Sequence, residues 1–333
     1  MAEIRAEQTL IFHLMSSSNW LLHRLLKSLL CVAALAVSAQ LHLRAEDGPP
    51  AAQSLHFTVT SDLHDTIPLC TYVFDAVKAQ PDGVGAFMIS IGDLVDHDGQ
   101  TPQNLRDLID SRFGEKTIWW PVPGNHDKKS SCSFAWLRDE FTRGHNKHAP
   151  LKNLVLRSGP AGCIETTYSF DHGNVHFVML NEYWNGKNEP GSDYATDGDV
   201  VPALREWLET DLKATDKPFV FIFGHEPAFP QTRHTGDSLD LYPENRDAFW
   251  ALLAKYKVQA FFSGHIHYYY KETKDGVYQI SDGAAGKNVE GHQTYLKVVV
   301  GNTGAQVEAW QNDVATPTSW HKADTIELKP RLH

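Results

Sequence analysis

Five short apolar runs, each followed directly by a polar motif, constrain the fold of this 333-residue chain most strongly. The runs cover residues 57–60, 86–91, 118–122, 219–223 and 260–262. A short, continuous apolar run is typical of a strand buried on both faces, as in a parallel sheet. In an open α/β sheet, the loops at the carboxyl ends of such strands converge on one crevice. The sequence therefore predicts an α/β fold that gathers side chains from distant parts of the chain at one edge.

The segments between these runs predict helices and further strands. Helical or alternating spacing of apolar residues gives helices over residues 67–79, 103–113, 134–141, 202–212 and 245–256, a hairpin from 167–170 and 175–180, and antiparallel strands over 276–280, 294–300 and 305–310. Residues 182–199 and 228–242 are expected to form long loops, and the tail after residue 311 carries little signal. This order indicates an α/β sandwich with mixed sheets and helices on the outside.

The first 45 residues differ from the rest of the chain. Arg24 and Lys27 precede an apolar run over residues 29–39, and small residues follow at 37–39 and 43–45. This order is typical of a secretory signal peptide, and the run is shorter than the roughly 20 residues of a membrane span. We predict a leader over 1–45 and one domain over 46–333 of a secreted or periplasmic protein, without stable membrane insertion after cleavage. The alternative is an uncleaved N-terminal anchor.

The formal net charge of −11 limits the partners of the chain. Binding to nucleic acid depends on Lys and Arg that neutralise phosphates, so we expect no general nucleic-acid binding. An acidic protein also gives no long-range steering of anionic substrates. A phosphate-containing small molecule would therefore have to be captured locally, and bound cations would do that.

Cysteine usage is sparse. Cys31 falls in the predicted leader, Cys70 in a predicted helix, and Cys132 and Cys163 in loop-like sequence. Export permits disulfides, so Cys132 and Cys163 could pair, whereas Cys70 is expected to be a small buried hydrophobe. No cysteine and histidine spacing indicates a zinc-thiolate site.

The polar motifs after the apolar runs contain oxygen and nitrogen metal ligands and no thiol. They supply Asp62, His64, Asp93, Asn125, His225, His265 and His267. Residues i and i+2 of an extended segment point to the same side, so Asp62 with His64, and His265 with His267, can grip one ion. Two Asp, one Asn and four His suffice for two metal ions that share the Asp93 carboxylate. The donor types suit divalent or mixed-valence Mn, Fe, Zn, Co or Ni.

A pair of metal ions defines a reaction. Two ions about 3.5–4 Å apart lower the pKa of a shared water and hold the attacking and leaving oxygens of an in-line displacement at phosphorus. The leaving oxygen also needs a proton, and histidine exchanges a proton readily near neutral pH. We predict His126 and Asp127 as the catalytic pair, in which Asp127 could orient His126 while a metal-bridging hydroxide attacks phosphorus.

The order of the motifs resembles a known family. The series D-x-H, G-D-x-x-D, G-N-H-D, G-H-x-P and G-H-x-H is similar to that of the calcineurin-like metallophosphoesterase superfamily, over about residues 55–285. The resemblance implies a four-layer α/β sandwich of two mixed β-sheets flanked by helices. It also implies a dinuclear hydrolase of phosphoric esters.

The resemblance further implies how the ligands divide. One metal would be held by Asp62, His64, Asp93 and His267. The other would be held by Asp93, Asn125, His225 and His265. His126 would be the acid or the stabiliser of the transition state, with Asp127 supporting it.

One position departs from a branch of this superfamily. Purple acid phosphatases carry Tyr at the last position of G-D-x-x-Y, where this chain has Asp96. A tyrosinate-to-iron colour is therefore not expected. Asp96 is instead a candidate hydrogen-bond acceptor for a metal ligand, and the alternative is a simple turn residue.

Two other functions remain open at this point. A non-catalytic protein that binds metal or a phosphorylated ligand has the same scaffold, and an enzyme on it could cleave phosphodiesters or pyrophosphates rather than monoesters. The long loops over 182–199 and 228–242, the second of which carries Arg233 and His234, are expected to decide the substrate. The native metal and the oligomeric state do not follow from the residues.

Overall fold

A computed structural model describes residues 54–129, 131–137, 155–163, 166–187, 197–287 and 291–331 of the protein. The predicted leader over 1–45 and the middle of the predicted loop over 182–199 lie outside the described residues. Nothing helical within the described ranges is both long and apolar enough to cross a bilayer.

The described residues alternate between strands and helices along most of the chain. The strands are β1 (Leu55–Ser61), β2 (Met88–Ile91), β3 (Trp119–Val122), β4 (Val155–Ser158), β5 (Tyr168–His172), β6 (Val175–Met179), β7 (Phe219–Phe223), β8 (Ala260–Ser263), β9 (Tyr270–Lys274), β10 (Val277–Ser281), β11 (Thr294–Val300), β12 (Ala305–Asp313) and β13 (Thr316–Leu328). The α-helices are α1 (Ile67–Ala79), α2 (Gln103–Phe113), α3 (Asn125–Lys129), α4 (Ser131–Leu137), α5 (Pro202–Ala214) and α6 (Pro243–Lys255), and a 3-10 helix covers Leu239–Leu241.

The strands form two mixed sheets, as the sequence predicts. The first has the order β13-β12-β11-β1-β2-β3, in which β1, β2 and β3 are parallel and the other pairs antiparallel. The second has the order β4-β5-β6-β7-β8-β10-β9, with parallel pairing from β6 through β10. The carboxyl ends of the parallel strands in each sheet are the edges at which we expect the polar motifs.

Strand β7 illustrates how the layers are stacked. Phe219, Phe221 and Phe223 belong to an apolar cluster that also contains residues of the first sheet, whereas Val220 and Ile222 belong to a second cluster. Helices α1 and α2 contribute to the first cluster, and α5 and α6 contribute to the second. Side chains alternate along a strand, so both faces of β7 are covered. The prediction of two mixed sheets flanked by helices is confirmed.

Three sequence-based expectations about the elements need correction. The tail after residue 311 completes β12 and forms β13, which pairs antiparallel with β12. Most residues of β13 are exposed, so it has no apolar alternation to reveal it. The segment over 276–280 is β10, which is antiparallel to β9, as expected, but parallel to β8 on its other side. The helix expected over 134–141 begins earlier, at Ser131, and residues 138–141 lie outside the described part of the chain.

The suggested disulfide is also corrected. Cys70, Cys132 and Cys163 are all free thiols. Cys132 is exposed in α4, while Cys163 is buried with its Sγ 3.1 Å from Thr167 Oγ1. Cys70 is buried in α1, as expected of a small hydrophobe.

A buried charge cluster links β4, β5 and β6 to α5. The His176 Nδ1 lies 2.6 Å from Asp171 Oδ1 and its Nε2 lies 2.7 Å from Asp211 Oδ2, while Arg157 donates to Asp171 at 3.1 Å. Burial lowers the pKa of His176, but hydrogen bonds to Asp171 and Asp211 raise it further, so its pKa lies above the usual value. Burial raises the pKa of Asp171, but His176 and Arg157 together bring it down to about 2. The doubly bonded imidazolium and Arg157 thus balance two carboxylates.

This cluster predicts a pH-dependent stability. Because folding raises the pKa of His176, its protonated form stabilises the fold fully below about pH 6.5. This contribution is lost as the pH rises through the pKa that His176 has in the folded protein. The lowered pKa of Asp171 stabilises the fold above about pH 4 and is lost towards pH 2. We expect His176→Gln to reduce the free energy of unfolding by about 3 kcal/mol at pH 6 and by less at pH 9. Urea unfolding at both pH values measures this, with the exposed His321→Gln as control. An equal loss at both pH values would contradict the charge assignment.

Candidate metal centre

The polar motifs meet where the parallel strands of both sheets end. The seven predicted ligands are Asp62 and His64 after β1, Asp93 after β2, Asn125 at the start of α3, His225 after β7, and His265 and His267 after β8. The six ionisable ones among them are buried. The structure therefore brings together, from both sheets, all the side chains that the sequence singled out.

One group of potential ligand atoms comes from Asp62, His64, Asp93 and His267. These atoms lie within 4.8 Å of one another. His267 Nε2 is 3.1 Å from Asp62 Oδ1, and His64 Nε2 is 3.9 Å from the same oxygen and 3.7 Å from Asp93 Oδ2. This group has the composition that the sequence predicted for one metal.

A second group consists of Asp93, His225 and His265, whose ligand atoms also lie within 4.8 Å of one another, together with Asn125. Asn125 Oδ1 lies 3.1 Å from His225 Nε2 and 3.2 Å from His265 Nδ1. Asp93 Oδ1 is 3.4 Å from His225 Nε2. The Asp93 carboxylate thus turns Oδ2 towards the first group and Oδ1 towards the second.

Unpartnered atoms in both groups test whether cations fit. Asp62 Oδ1 and His64 Nε2 are buried without a hydrogen-bond partner. Asn125 Oδ1 faces only acceptors, since both Asp93 oxygens lie 3.2 Å from it in addition to the two histidine nitrogens. Lone pairs directed at one another are unfavourable in a buried site, whereas a cation between them makes every contact attractive. The residues therefore fit a pair of cations that accept oxygen and nitrogen ligands.

In three of the histidines, the ring nitrogen that points away from the centre contacts a hydrogen-bond acceptor. His225 Nδ1 donates to the Ile91 carbonyl at 2.8 Å, and His265 Nε2 lies 3.2 Å from the Asp237 carbonyl. His64 Nδ1 lies 3.1 Å from Asp96 Oδ1. Such contacts fix the ring orientation and direct the other nitrogen inwards, as in histidines that bind metals. The expectation that Asp96 accepts a hydrogen bond from a predicted ligand is confirmed.

Five of the predicted ligands have left-handed backbone conformations. The φ angles are 50° for Asp62, His64 and Asp93, 66° for His265 and 61° for His267. A side-chain-bearing residue in this region costs of order 1–3 kcal/mol and is retained when surrounding contacts impose it. Backbone hydrogen bonds between the motifs supply such contacts, for example from His64 N to Asp93 O at 2.8 Å. The site is thus held in a strained, pre-shaped form.

The two buried carboxylates remain ionised. Burial raises the pKa of Asp62, but the imidazoles of His267 and His225 bring it down to about 2. Burial also raises the pKa of Asp93, and His225 and His64 lower it far below its usual range. Burial lowers the pKa of His64 to about 4, which leaves that imidazole neutral at neutral pH. A carboxylate and a neutral imidazole are the protonation states that bind metal ions.

The two predicted catalytic residues lie beside this centre but differ in orientation. His126 Nδ1 is 3.0 Å from the Asp96 carbonyl oxygen, and Nε2 is 3.9 Å from Asp93 Oδ2. The Asp127 carboxylate instead accepts hydrogen bonds from backbone N–H groups, including that of Gly124 at 2.8 Å, and from Ser133 Oγ. The expected contact between Asp127 and His126 is therefore corrected, because the contact to His126 comes from Asp96.

Residues around the second group were only partly anticipated. The His234 ring centroid is 4.0 Å from that of His265, and His234 Nδ1 is 3.0 Å from Asp237 Oδ2. The loop over 228–242 thus reaches the centre, as its length suggested. Glu182 and Tyr183, at the start of the predicted loop over 182–199, are fully buried, and Tyr183 donates to Glu226 Oε1 at 2.8 Å. The Tyr183 ring centroid lies 6.5 Å from that of His225, so these residues pack behind the centre.

Gly264 permits the close approach of the two sheets at the centre. A Cβ atom at this position would lie 1.8 Å from Ser61 Oγ and 2.6 Å from Asp62 Oδ2. We expect Gly264→Ala to lower the free energy of unfolding by about 1–3 kcal/mol, because Ser61 and Asp62 must shift. Urea unfolding measures the loss. Gly301→Ala is the control, since a Cβ atom there would lie at an ordinary 3.5 Å from the Gly304 carbonyl oxygen. Equal stability losses in the two variants would contradict the steric argument.

Known proteins that match this chain include a family of phosphoesterases and several acid phosphatases. The profile of the calcineurin-like phosphoesterases matches residues 55–269. An acid phosphatase of Aspergillus ficuum is 28% identical over 46% of this chain and 33% of the relative, and purple acid phosphatase 22 of Arabidopsis thaliana is 25% identical over 66% and 46%. The chain thus spans less than half the length of these curated relatives.

Solved structures share the fold at low identity. A dimetal phosphatase from Danio rerio superposes with a TM-score of 0.56 at 14% identity, over 83% of this chain and 99% of that one. GAP50, described as the anchor in the inner membrane complex of Plasmodium, gives 0.57 at 11% identity, over 84% and 90%. The match over residues 55–269, which contains all seven predicted ligands, shows that the chain belongs to the calcineurin-like phosphoesterase family.

Proposed function

We propose that the protein is a metal-dependent hydrolase of phosphoric esters with a dinuclear centre. Asp62, His64, Asp93 and His267 would hold one ion, and Asp93, Asn125, His225 and His265 the other. The observation that carries the proposal is the Asp93 carboxylate, which directs one oxygen to each group. Two bound ions would supply a water of lowered pKa and stabilise charge on the phosphoryl oxygens. The acid phosphatases among the relatives support this reaction class.

His126 would protonate the leaving oxygen. Its Nδ1 is committed to the Asp96 carbonyl at 3.0 Å, so Nε2 is the nitrogen left for the substrate. The side chain is 28% exposed, whereas the ligand side chains beside it are buried, so His126 stands at the mouth of the site. In the reaction, a water oxygen bonds to phosphorus as the bond from phosphorus to the leaving oxygen breaks. The imidazolium form of His126 gives its Nε2 proton to the leaving oxygen, and the proton that the water loses restores that form.

Asp127 would act through the backbone. Its carboxylate accepts hydrogen bonds from Gly124 N at 2.8 Å and from Leu94 N at 3.1 Å. It therefore joins the loop after β2 to the loop after β3, and these loops carry Asp93 and Asn125. A residue that fixes two ligand-bearing loops is a positioning residue, and its catalytic effect is indirect.

Metal content tests the shared ligand. We expect two metal ions per chain in the purified protein and fewer than one in Asp93→Asn, because the amide has no charge and keeps only one of the two oxygens that the groups share. Hydrolysis of an aryl phosphate ester should be abolished in the same variant. Elemental analysis measures the ions, and Asp98→Asn, an exposed residue in the same loop, is the control. Two retained ions in Asp93→Asn would refute the shared ligand, and a purple protein would contradict a centre without tyrosinate.

Turnover tests the proton donor. We expect His126→Ala to lower kcat by about 100-fold or more with unchanged metal content, because general acid catalysis contributes about that much. His97→Ala is the matched control, since His97 is a neighbouring histidine whose side chain is 75% exposed. A kcat for His126→Ala within twofold of the unmodified protein would remove the assigned role.

A panel of esters separates the candidate functions. Metal-reconstituted protein should hydrolyse at least one class among phosphomonoesters, phosphodiesters and pyrophosphates, and a chelator should abolish the activity. Stoichiometric metal binding without hydrolysis of any class would favour the alternative, a binding protein on the same scaffold.

A further inference from the structure

A segment that follows β10 crosses the end of β1 directly beside the metal centre. Ala285 N donates to Ser61 O at 2.8 Å, and Gly286 N donates to Asp62 O at 2.9 Å. A Cβ atom on Gly286 would lie only 1.7 Å from the Leu63 carbonyl oxygen, so the two backbones touch. The next residue, Lys287, is thereby fixed relative to the segment that carries Asp62 and His64.

The ammonium group of Lys287 joins the contacts around Asp96. Its Nζ lies 3.2 Å from Asp96 Oδ1, the oxygen that is also 3.1 Å from His64 Nδ1 and 3.4 Å from His126 Nδ1. The Lys287 side chain is 34% exposed. An ammonium has three donors, so the contact to Asp96 leaves others for a second acceptor.

The position of Lys287 bears on which phosphate ester suits the site. A phosphomonoester presents a dianionic phosphoryl group near neutral pH, whereas a phosphodiester carries one negative charge. The rest of the chain gives no long-range attraction for the additional charge, because its net charge is −11. The Lys287 side chain, held at the edge of the centre by Asp96, offers a phosphoryl oxygen a local charge-assisted hydrogen bond.

We propose that Lys287 is a specificity-determining residue that binds an anionic oxygen of the phosphoryl group and thereby favours phosphomonoesters over phosphodiesters. This inference rests on the proposed function and names the substrate class of the same site. Lys287 pairs with the substrate oxygen, while Asp96 and the Gly286 backbone hold it in place.

Substrate selectivity of Lys287→Gln tests the proposal. Glutamine keeps a donor for Asp96 and removes the charge. With the full chain loaded with metal, we expect kcat/KM for p-nitrophenyl phosphate to fall about tenfold or more, as for a charge-assisted hydrogen bond, and kcat/KM for bis(p-nitrophenyl) phosphate to stay within twofold. Lys287→Arg should retain the preference. Lys322→Gln is the control, since Lys322 is paired with Glu308 at 2.8 Å on β13.

Binding of inorganic phosphate gives a second measurement that needs no turnover. Titration calorimetry should show a Kd about tenfold weaker in Lys287→Gln, with the metal content of both proteins equal. An equal loss for both esters would mean that Lys287 acts through Asp96 and His64, and would overturn the proposal. A preference of the unmodified protein for the diester would also overturn it but leave the proposed function intact. If no ester is cleaved, the proposed function fails, and an unchanged Kd for phosphate then overturns the role of Lys287 separately.

Discussion

Two negative charges buried next to each other dominate the organisation of this protein. Asp62 and Asp93 lie at the ends of neighbouring parallel strands, and each is almost inaccessible to solvent. Like charges in a buried site are costly unless positive or hydrogen-bonding groups surround them. Backbone N–H groups serve that purpose, since His265 N donates to Asp62 at 3.0 Å and His126 N donates to Asp93 at 2.8 Å. Asp62 and Asp93 both have left-handed backbone conformations, which are locally unfavourable. The surrounding contacts keep the two charged side chains buried in spite of this.

The centre depends equally on the way the two sheets meet. Phe57 of β1 packs edge-on against Phe177 of β6, with ring centroids 5.3 Å apart, so an aromatic layer sets the separation of the sheets. The first sheet supplies the carboxylates and Asn125, and the second supplies His225, His265 and His267. Any ion shared by these residues would be a further link between sheets that are already joined by apolar contacts and by hydrogen bonds such as that from His225 Nδ1 to Ile91 O. Packing in the interior therefore fixes the distances between these side chains, so a core substitution far from the site can alter it.

The sequence predicted this centre better than it predicted the surroundings. Apolar periodicity predicted the bounds of α1 and α2, and the motifs at strand ends predicted the seven side chains that the structure brings together. The error about Asp127 arose because successive residues on a helix do not face each other, so proximity to His126 in the chain implied no contact. The pairing of Lys287 with Asp96 joins residues that are 191 positions apart, and no periodicity within one chain segment encodes it. Strand β13 was missed because its pairing partner, not its own pattern, makes it a strand.

Asn125 has a property that an aspartate in its place would lack. Its amide presents an oxygen to His225, His265 and Asp93, and a half-turn about its last torsion angle would present an N–H donor to the same atoms. The neutral amide can thus direct its oxygen to a cation. After the half-turn, it can instead donate a hydrogen bond to Asp93 when no cation is bound. A third carboxylate at that point would instead add a negative charge beside Asp93. An amide therefore lets this position face either a cation or the Asp93 carboxylate without a change of charge.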